Sequence, residues 1–146
     1  MTIQTIGFTK KTAQQFFDTL EKNKTNLLLD IRLNNKSQLS GFAKGEDLVY
    51  LLKRVCMCSY VHDLSFAPTK ELLDDYREKK IIWKDYEERY KALITERGAF
   101  NNFGERFSEY KHIALLCSEP SPDKCHRRLA AEMIQEFNDN IEIVHL

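Results

Sequence analysis

The sequence predicts an α/β fold: a single-domain three-layer sandwich with a mainly parallel sheet of about five strands and helices on both faces, Rossmann-like in plan. Two observations carry this. Strand-like and helix-like segments alternate along the chain, with no repeat, low-complexity tract or linker between them. The run Leu27-Leu28-Leu29 is continuously apolar, as a strand covered on both faces requires. The 146 residues, 42% of them hydrophobic, suffice for one domain with a real core, spanning 1–146.

Taken in order, the first strand is expected over Ile3 to Phe8. Gly7 there permits a tight turn or a close approach of ligand to backbone. Thr9 is the expected N-cap of a helix over Thr12 to Lys22, with Phe16, Phe17 and Leu20 facing inward. The second strand, Leu27 to Arg32, brings Asp30 and Arg32 to its carboxyl end. Asn34 to Gly45 reads as a polar loop holding Lys36, Ser37, Ser40, Gly41, Phe42 and Lys44, long for a strand-to-helix connection and so a functional candidate. A helix over Asp47 to Val55 and a third strand over Ser59 to Leu64 follow.

The turn Ala67-Pro68-Thr69 opens the next helix, capped by Thr69, with Leu72, Leu73 and Tyr76 inside. Trp83 to Arg97 forms a longer helix whose stripe of Trp83, Tyr86, Tyr90, Leu93 and Ile94 reads as core packing rather than a stacking platform. Gly98 ends it as a C-cap glycine. A short helix within Asn101 to Tyr110, a strand His112 to Cys117, a helix Asp123 to Phe137 and a last strand Ile141 to Leu146 complete the chain.

Lys plus Arg and Asp plus Glu are equal at 22 each, so the net charge of zero gives no support for general nucleic-acid affinity. The start, Met1-Thr2-Ile3-Gln4, lacks the regions of a signal peptide, and no apolar run approaches the ~20 residues that span a bilayer. The chain is therefore read as cytoplasmic, with no membrane partner. Its four cysteines, Cys56, Cys58, Cys117 and Cys125, are then not expected to form a disulfide framework. The pair Cys56-Met57-Cys58 is spaced too closely for a zinc knuckle and reads as two small hydrophobes.

Reactive groups concentrate in His112 to Arg128, reading HIALLCSEPSPDKCHRR. Two thiols, a carboxylate, an imidazole and two guanidiniums fall within twelve residues. Ser121 as N-cap with Pro122 at the first helical position would place Cys125 and His126 near the positive end of a helix, where thiolate is favoured. The same end welcomes an anion, and Arg32, Arg127 and Arg128 would add fork-shaped contacts. In parallel sheets ligands bind outside the carboxyl ends of strands, and three of those ends are chemically loaded: Gly7-Phe8, Asp30-Arg32 and Cys117-Glu119.

Each group also has a structural reading. Cys125 falls on the apolar stripe of its helix with Leu129 and Met133, Cys117 ends a buried strand, and Arg128 meets Glu132 one turn on. His126 can bond a neighbouring carbonyl, and Asp30 with Arg32 can form a structural ion pair. Leu29-Asp30-Ile31-Arg32 resembles the second strand of rhodaneses and related phosphatases, but their anion cradle does not follow: six residues after Cys117 comes Asp123, and Pro120 and Pro122 lack amide donors. A metal held by Cys117, Glu119, Cys125 and His126 is conceivable, but the gap of seven residues between the cysteines matches no standard ligand spacing, so no metal ligand is assigned. No cofactor is expected. A Cys117–Cys125 disulfide requires Cα atoms within ~7 Å.

Thr5-Ile6-Gly7-Phe8, Leu29-Asp30-Ile31-Arg32, Ser37 to Phe42, Tyr60-Val61-His62, and Leu115-Leu116-Cys117-Ser118-Glu119 running to Cys125-His126-Arg127-Arg128 together resemble the domain of unknown function 488 family. The resemblance covers nearly the whole chain, with Phe8 standing where many members have histidine, and Asn34 or Asn35 where many have proline. It implies a compact α/β domain and a site location, and no agreed activity.

Three functional readings stay open. One is an enzyme or binding protein for a small anionic or nucleotide-like ligand, with Cys117, Glu119, Cys125 and His126 catalytic and Gly7, Phe8, Asp30, Arg32, Lys44, Arg127 and Arg128 binding. Another is a nucleic-acid module in which Lys36, Lys44, Arg127 and Arg128 combine with Phe42 and Tyr60. The third is a metal or thiol-redox protein. The oligomeric state is left open.

Overall fold

The computed structural model describes residues 1–36 and 41–146, so Ser37 and Ser40 of the expected functional loop lie outside the described residues. The elements are β1 (Thr2–Gly7), α1 (Ala13–Lys22), β2 (Leu27–Asp30), α2 (Gly45–Val55), β3 (Ser59–His62), α3 (Lys70–Arg77), α4 (Trp83–Glu96), α5 (Phe103–Arg106), β4 (His112–Cys117), α6 (His126–Glu136) and β5 (Glu142–His145). The sheet runs β3-β2-β4-β1-β5, and every neighbouring pair is parallel. The expected α/β architecture, with helices on both faces, is the one observed.

The alternation of side chains along a strand explains the layering. Ile113 and Leu115 of β4, with Ile3, Leu27 and Leu29, face a core shared with α3, α4, α5 and α6, including Tyr86, Tyr90, Leu129 and Ile134. Ala114 and Leu116, with Ile6 and Leu28, face the opposite core with Phe16, Phe17 and Leu20 of α1 and Leu48 and Leu52 of α2. Because β4 sits between β1 and β2, both of its faces and both of its edges are covered, and Ile113 to Leu116 are fully buried. No described helix is long and apolar enough to cross a membrane.

Several boundaries differ from expectation for identifiable reasons. Thr12, not Thr9, caps α1: its hydroxyl accepts from Gln15 N–H while the Gln15 carboxamide accepts from Thr12 N–H, a reciprocal capping box. Thr9 is instead drawn to the loop after β4, its amide and hydroxyl both donating to the Ser118 carbonyl at 3.2 and 2.5 Å. The helix after β4 begins at His126 rather than Asp123, with Cys125 as its N-cap. Ser121, Pro122 and Asp123 build a separate turn: Asp123 N–H donates to Ser121 Oγ at 3.3 Å, and Cys125 N–H to the Pro122 carbonyl at 3.2 Å. Serine followed by proline serves turns as well as helix starts, and here the turn wins. Helix α2 starts early, at Gly45, whose N–H reaches the Asn35 carbonyl at 2.7 Å. Thr69 caps α3 as expected, and Gly98 closes α4 in the left-handed region at φ 60°.

The connections determine where a crevice opens. From β1 the chain passes to α1 on one face, while from the adjacent β4 it passes to α6 on the other. Such divergence separates the loops at the carboxyl ends of the two strands. Gly7 and Cys117, the last residues of β1 and β4, are register partners across it. A separate groove of about 630 Å³, lined by Met1, Phe100, Phe103, Ile134, Phe137 and Ile141, lies at the amino ends of the strands, away from these groups.

Gly7 is the tightest point of this arrangement. A Cβ there would lie 1.8 Å from the Glu119 carbonyl oxygen, a backbone atom that cannot swing aside. Gly7→Ala is therefore expected to destabilise the protein by at least the ~1–3 kcal/mol of overpacking, measured by denaturant unfolding. Gly104→Ala, where a Cβ meets nothing within 4 Å, should stay close to wild type.

Candidate functional site

The carboxyl end of β4 and the start of α6 bring two thiols and an imidazole together. Cys117, Cys125 and His126 are all buried, and their Sγ, Sγ and Nδ1 atoms lie within 4.8 Å of one another. Cys117 Sγ stands 3.7 Å from His126 Nδ1. The other ring nitrogen, Nε2, lies 3.1 Å from the Ile31 carbonyl, just past β2. A carbonyl oxygen only accepts, so Nε2 carries the proton and Nδ1 turns its lone pair toward the thiols. Burial lowers the His126 pKa, so the ring is neutral near pH 7. The cysteines are free.

The two thiols are unlike. The neighbouring Cys125 thiol, the backbone of Glu119 and Ser118 and the nearby Arg127 charge lower the Cys117 pKa against the opposing effect of burial. The neighbouring Cys117 thiol and burial both push Cys125 strongly upward. Cys117 is thus the more acidic thiol of the pair and Cys125 the less acidic.

Arg127 lies beneath this cluster with no exposed surface. Nη1 donates to the Glu119 carbonyl at 2.6 Å and to Cys125 Sγ at 3.4 Å, and Nη2 to the Pro120 carbonyl at 3.4 Å. Nε is buried without an acceptor. No carboxylate pairs with this guanidinium among the described residues. Its charge reaches Lys11, whose pKa is lowered first by burial and then by Arg127.

The end of β2 supplies a second wall. Asp30 and Arg32 form a buried bidentate pair, Nε to Oδ1 at 2.8 Å and Nη2 to Oδ2 at 2.6 Å. Nη2 also donates to the Ala43 carbonyl at 2.8 Å, and the guanidinium lies 5.1 Å from the centre of the Phe8 ring. Tyr60 gives its hydroxyl proton to Asp30 at 2.7 Å and accepts from Asn35 at 2.9 Å. Burial, then the Asp30 charge, pushes the Tyr60 pKa up.

The structure gathers Gly7, Phe8, Asp30, Arg32, Cys117, Cys125, His126 and Arg127 at one end of the sheet and leaves three predicted residues outside the cluster. Glu119 contributes its carbonyl to Arg127, while its side chain is exposed and has no partner among the described residues. Arg128 turns to Glu132 at 2.7 Å and to Glu87 at 3.6 Å. Lys44 pairs with Glu46 at 3.5 Å on the surface. The three guanidiniums expected to form an anion fork are all committed to protein partners. Sequence reasoning missed the tie of Tyr60 to Asp30, of Thr9 to Ser118, and the approach of the Tyr90 ring to His126 at 5.5 Å. A tyrosine at helical spacing signals core, and nothing in its own neighbourhood marks it as the wall of a thiol site.

The chain matches the family model described as Domain of unknown function DUF488 over residues 12–134. It belongs to that family. Within the DUF488 match lie Asp30, Arg32 and the whole thiol cluster, while Gly7 and Phe8 precede it. Neither the curated proteins nor the solved structures give a significant match.

Two outcomes follow from this geometry. Unfolded histidine protonates near pH ~6.5, whereas folded His126 resists protonation, so the unfolded state binds the extra proton as the pH falls below that value. Stability is full above that pH and is lost below it; the His126 contribution has a slope of at most ~1.4 kcal/mol per pH unit. Denaturation midpoints between pH 7 and 5 should show a shallower decline in His126→Gln. Asp30→Ala leaves Arg32 buried without its counter-charge and is expected to cost ~3–5 kcal/mol in urea unfolding, as breaking a buried pair does.

Proposed function

We propose that this protein is an enzyme or binding protein for a small anionic or nucleotide-like ligand, which docks at the carboxyl ends of β1, β2 and β4 with Cys117 as the reacting or contacting group. The observation that carries the reading is the placement of a cysteine of lowered pKa beside a buried guanidinium that has no carboxylate partner among the described residues, at the divergence of the β1 and β4 connections. That unpaired charge favours an arriving anion, and Lys11 lies within its reach. In this reading Arg127 acts through its field and through the loop it holds, not as a fork on the ligand.

The geometry favours this over a nucleic-acid module. Arg127 is buried, Phe42 packs against Phe16 and Phe17 at 5.4 and 6.1 Å, and the Tyr60 hydroxyl is held by Asp30. That set therefore offers no exposed combination of charge and stacking surface.

The reading is tested by alkylation. In a Cys56→Ser/Cys58→Ser background, iodoacetate should modify Cys117 before Cys125, with the Cys117 sulfur–carbon bond forming as iodide leaves. Inorganic phosphate or a nucleoside monophosphate should protect it, slowing modification about tenfold at ten times the dissociation constant. Modification of Cys117 at the same rate with and without both anions at millimolar concentration would count against the reading.

A further inference from the structure

We infer that Cys117, Cys125 and His126 form a binding site for one thiophilic divalent cation of the Zn²⁺ class, with a fourth position open to the anionic ligand. The inference rests on the thiol cluster being a ligand site, and it supplies what that reading lacks: a positive centre the anion can touch, now that Arg32, Arg127 and Arg128 are engaged elsewhere.

Three features of the cluster point to a cation. First, one donor pair already has the spacing and the third donor stands near it. Tetrahedral zinc with bonds of ~2.1–2.3 Å holds its ligand atoms ~3.3–3.8 Å apart. Cys117 Sγ and His126 Nδ1 already stand 3.7 Å apart, and all three donor atoms lie within 4.8 Å. Second, the imidazole is set as metal-bound imidazoles are: Nε2–H is anchored on the Ile31 carbonyl, leaving Nδ1 unprotonated and aimed at the thiols. Third, the Cys125 sulfur has an outer-shell partner: Arg127 Nη1 donates to it at 3.4 Å.

The spacing along the chain, which matched no standard ligand pattern, does not bear on this. Cys117 arrives on a strand and Cys125 and His126 at the start of a helix, so the fold rather than a knuckle brings them together. Three protein donors leave one tetrahedral position, the arrangement of zinc sites that take water or substrate. Binding makes two metal–sulfur bonds and one metal–nitrogen bond. The two thiol protons pass to solvent, and nothing is oxidised or reduced. The aromatic rings of Tyr86 and Tyr90 on α4 line the buried side, Tyr90 lying 5.5 Å from the His126 ring.

Cobalt titration of the full-length, chelator-treated protein tests the inference. One equivalent of Co²⁺ should give a near-ultraviolet sulfur-to-cobalt charge-transfer band and visible tetrahedral bands, both displaced by Zn²⁺. Cys117→Ser and Cys125→Ser should lose the band and bind Co²⁺ more weakly by more than the ~10–100-fold that loss of an outer-shell partner costs. Cys56→Ser/Cys58→Ser should keep it. If wild type shows no such band, or if the band survives in Cys117→Ser and vanishes in Cys56→Ser/Cys58→Ser, the site is overturned. The wild-type spectrum decides even where a variant fails to fold. Anion protection of Cys117 in a protein that takes up no cobalt would overturn the metal and leave the ligand site standing. Cobalt uptake without anion protection would do the reverse.

Discussion

The buried guanidinium of Arg127 is the interaction on which the site end of the molecule depends. The loop after β4 contains Pro120 and Pro122, which bring no amide of their own, and its carbonyls would otherwise stand unpaired over a packed core. Arg127 reaches back from the first turn of α6 and satisfies two of them, at Glu119 and Pro120. That contact fixes the distance between helix and strand, and with it the meeting of Cys117 and Cys125. It also explains the end of β1: the Glu119 carbonyl comes so close that only glycine fits at position 7.

A buried charge has a second effect, on the chemistry around it. Two cysteines eight positions apart in the chain, both almost wholly buried, acquire opposite character. Their interaction makes one more acidic and the other less, so the pair ionises once before twice, while the charge of Arg127 favours ionisation of both. On the β2 side a neutral pair, Asp30 with Arg32, contributes shape and rigidity without adding net charge. The guanidinium at this end without a carboxylate partner among the described residues is that of Arg127, and its charge reaches Lys11.

Much of the fold was legible in the sequence because burial leaves a local trace. The apolar run Leu27 to Leu29, the alternation of whole elements, and the caps at Thr69 and Gly98 each act within a few residues of themselves. The gathering of the candidate groups was legible for the same reason, since charged and thiol groups at strand ends stand out against apolar runs. What the sequence concealed was commitment. Arg32, Arg127 and Arg128 look alike on paper, and only the fold reveals that one meets Asp30, one meets carbonyls and a sulfur, and one meets Glu132. The start of α6 was misplaced because serine followed by proline suits a turn and a helix equally well. Thr9 was misplaced because its partner, the Ser118 carbonyl, is 109 residues away.

The insertion of β4 between β1 and β2 has a consequence for the chain as it is synthesised. The first two strands are not neighbours, so the amino-terminal third emerges with a vacant lane in its sheet and two unpaired strand edges. That lane fills only when residues 112–117 arrive, and the thiol cluster needs the next turn of chain as well. A polypeptide truncated before this point keeps Gly7, Asp30 and Arg32 and yet has no site at all. For the nascent protein, assembly of the thiol cluster and closure of the sheet are a single late event, and the interval before it is when the open edges are exposed to mispairing with other chains.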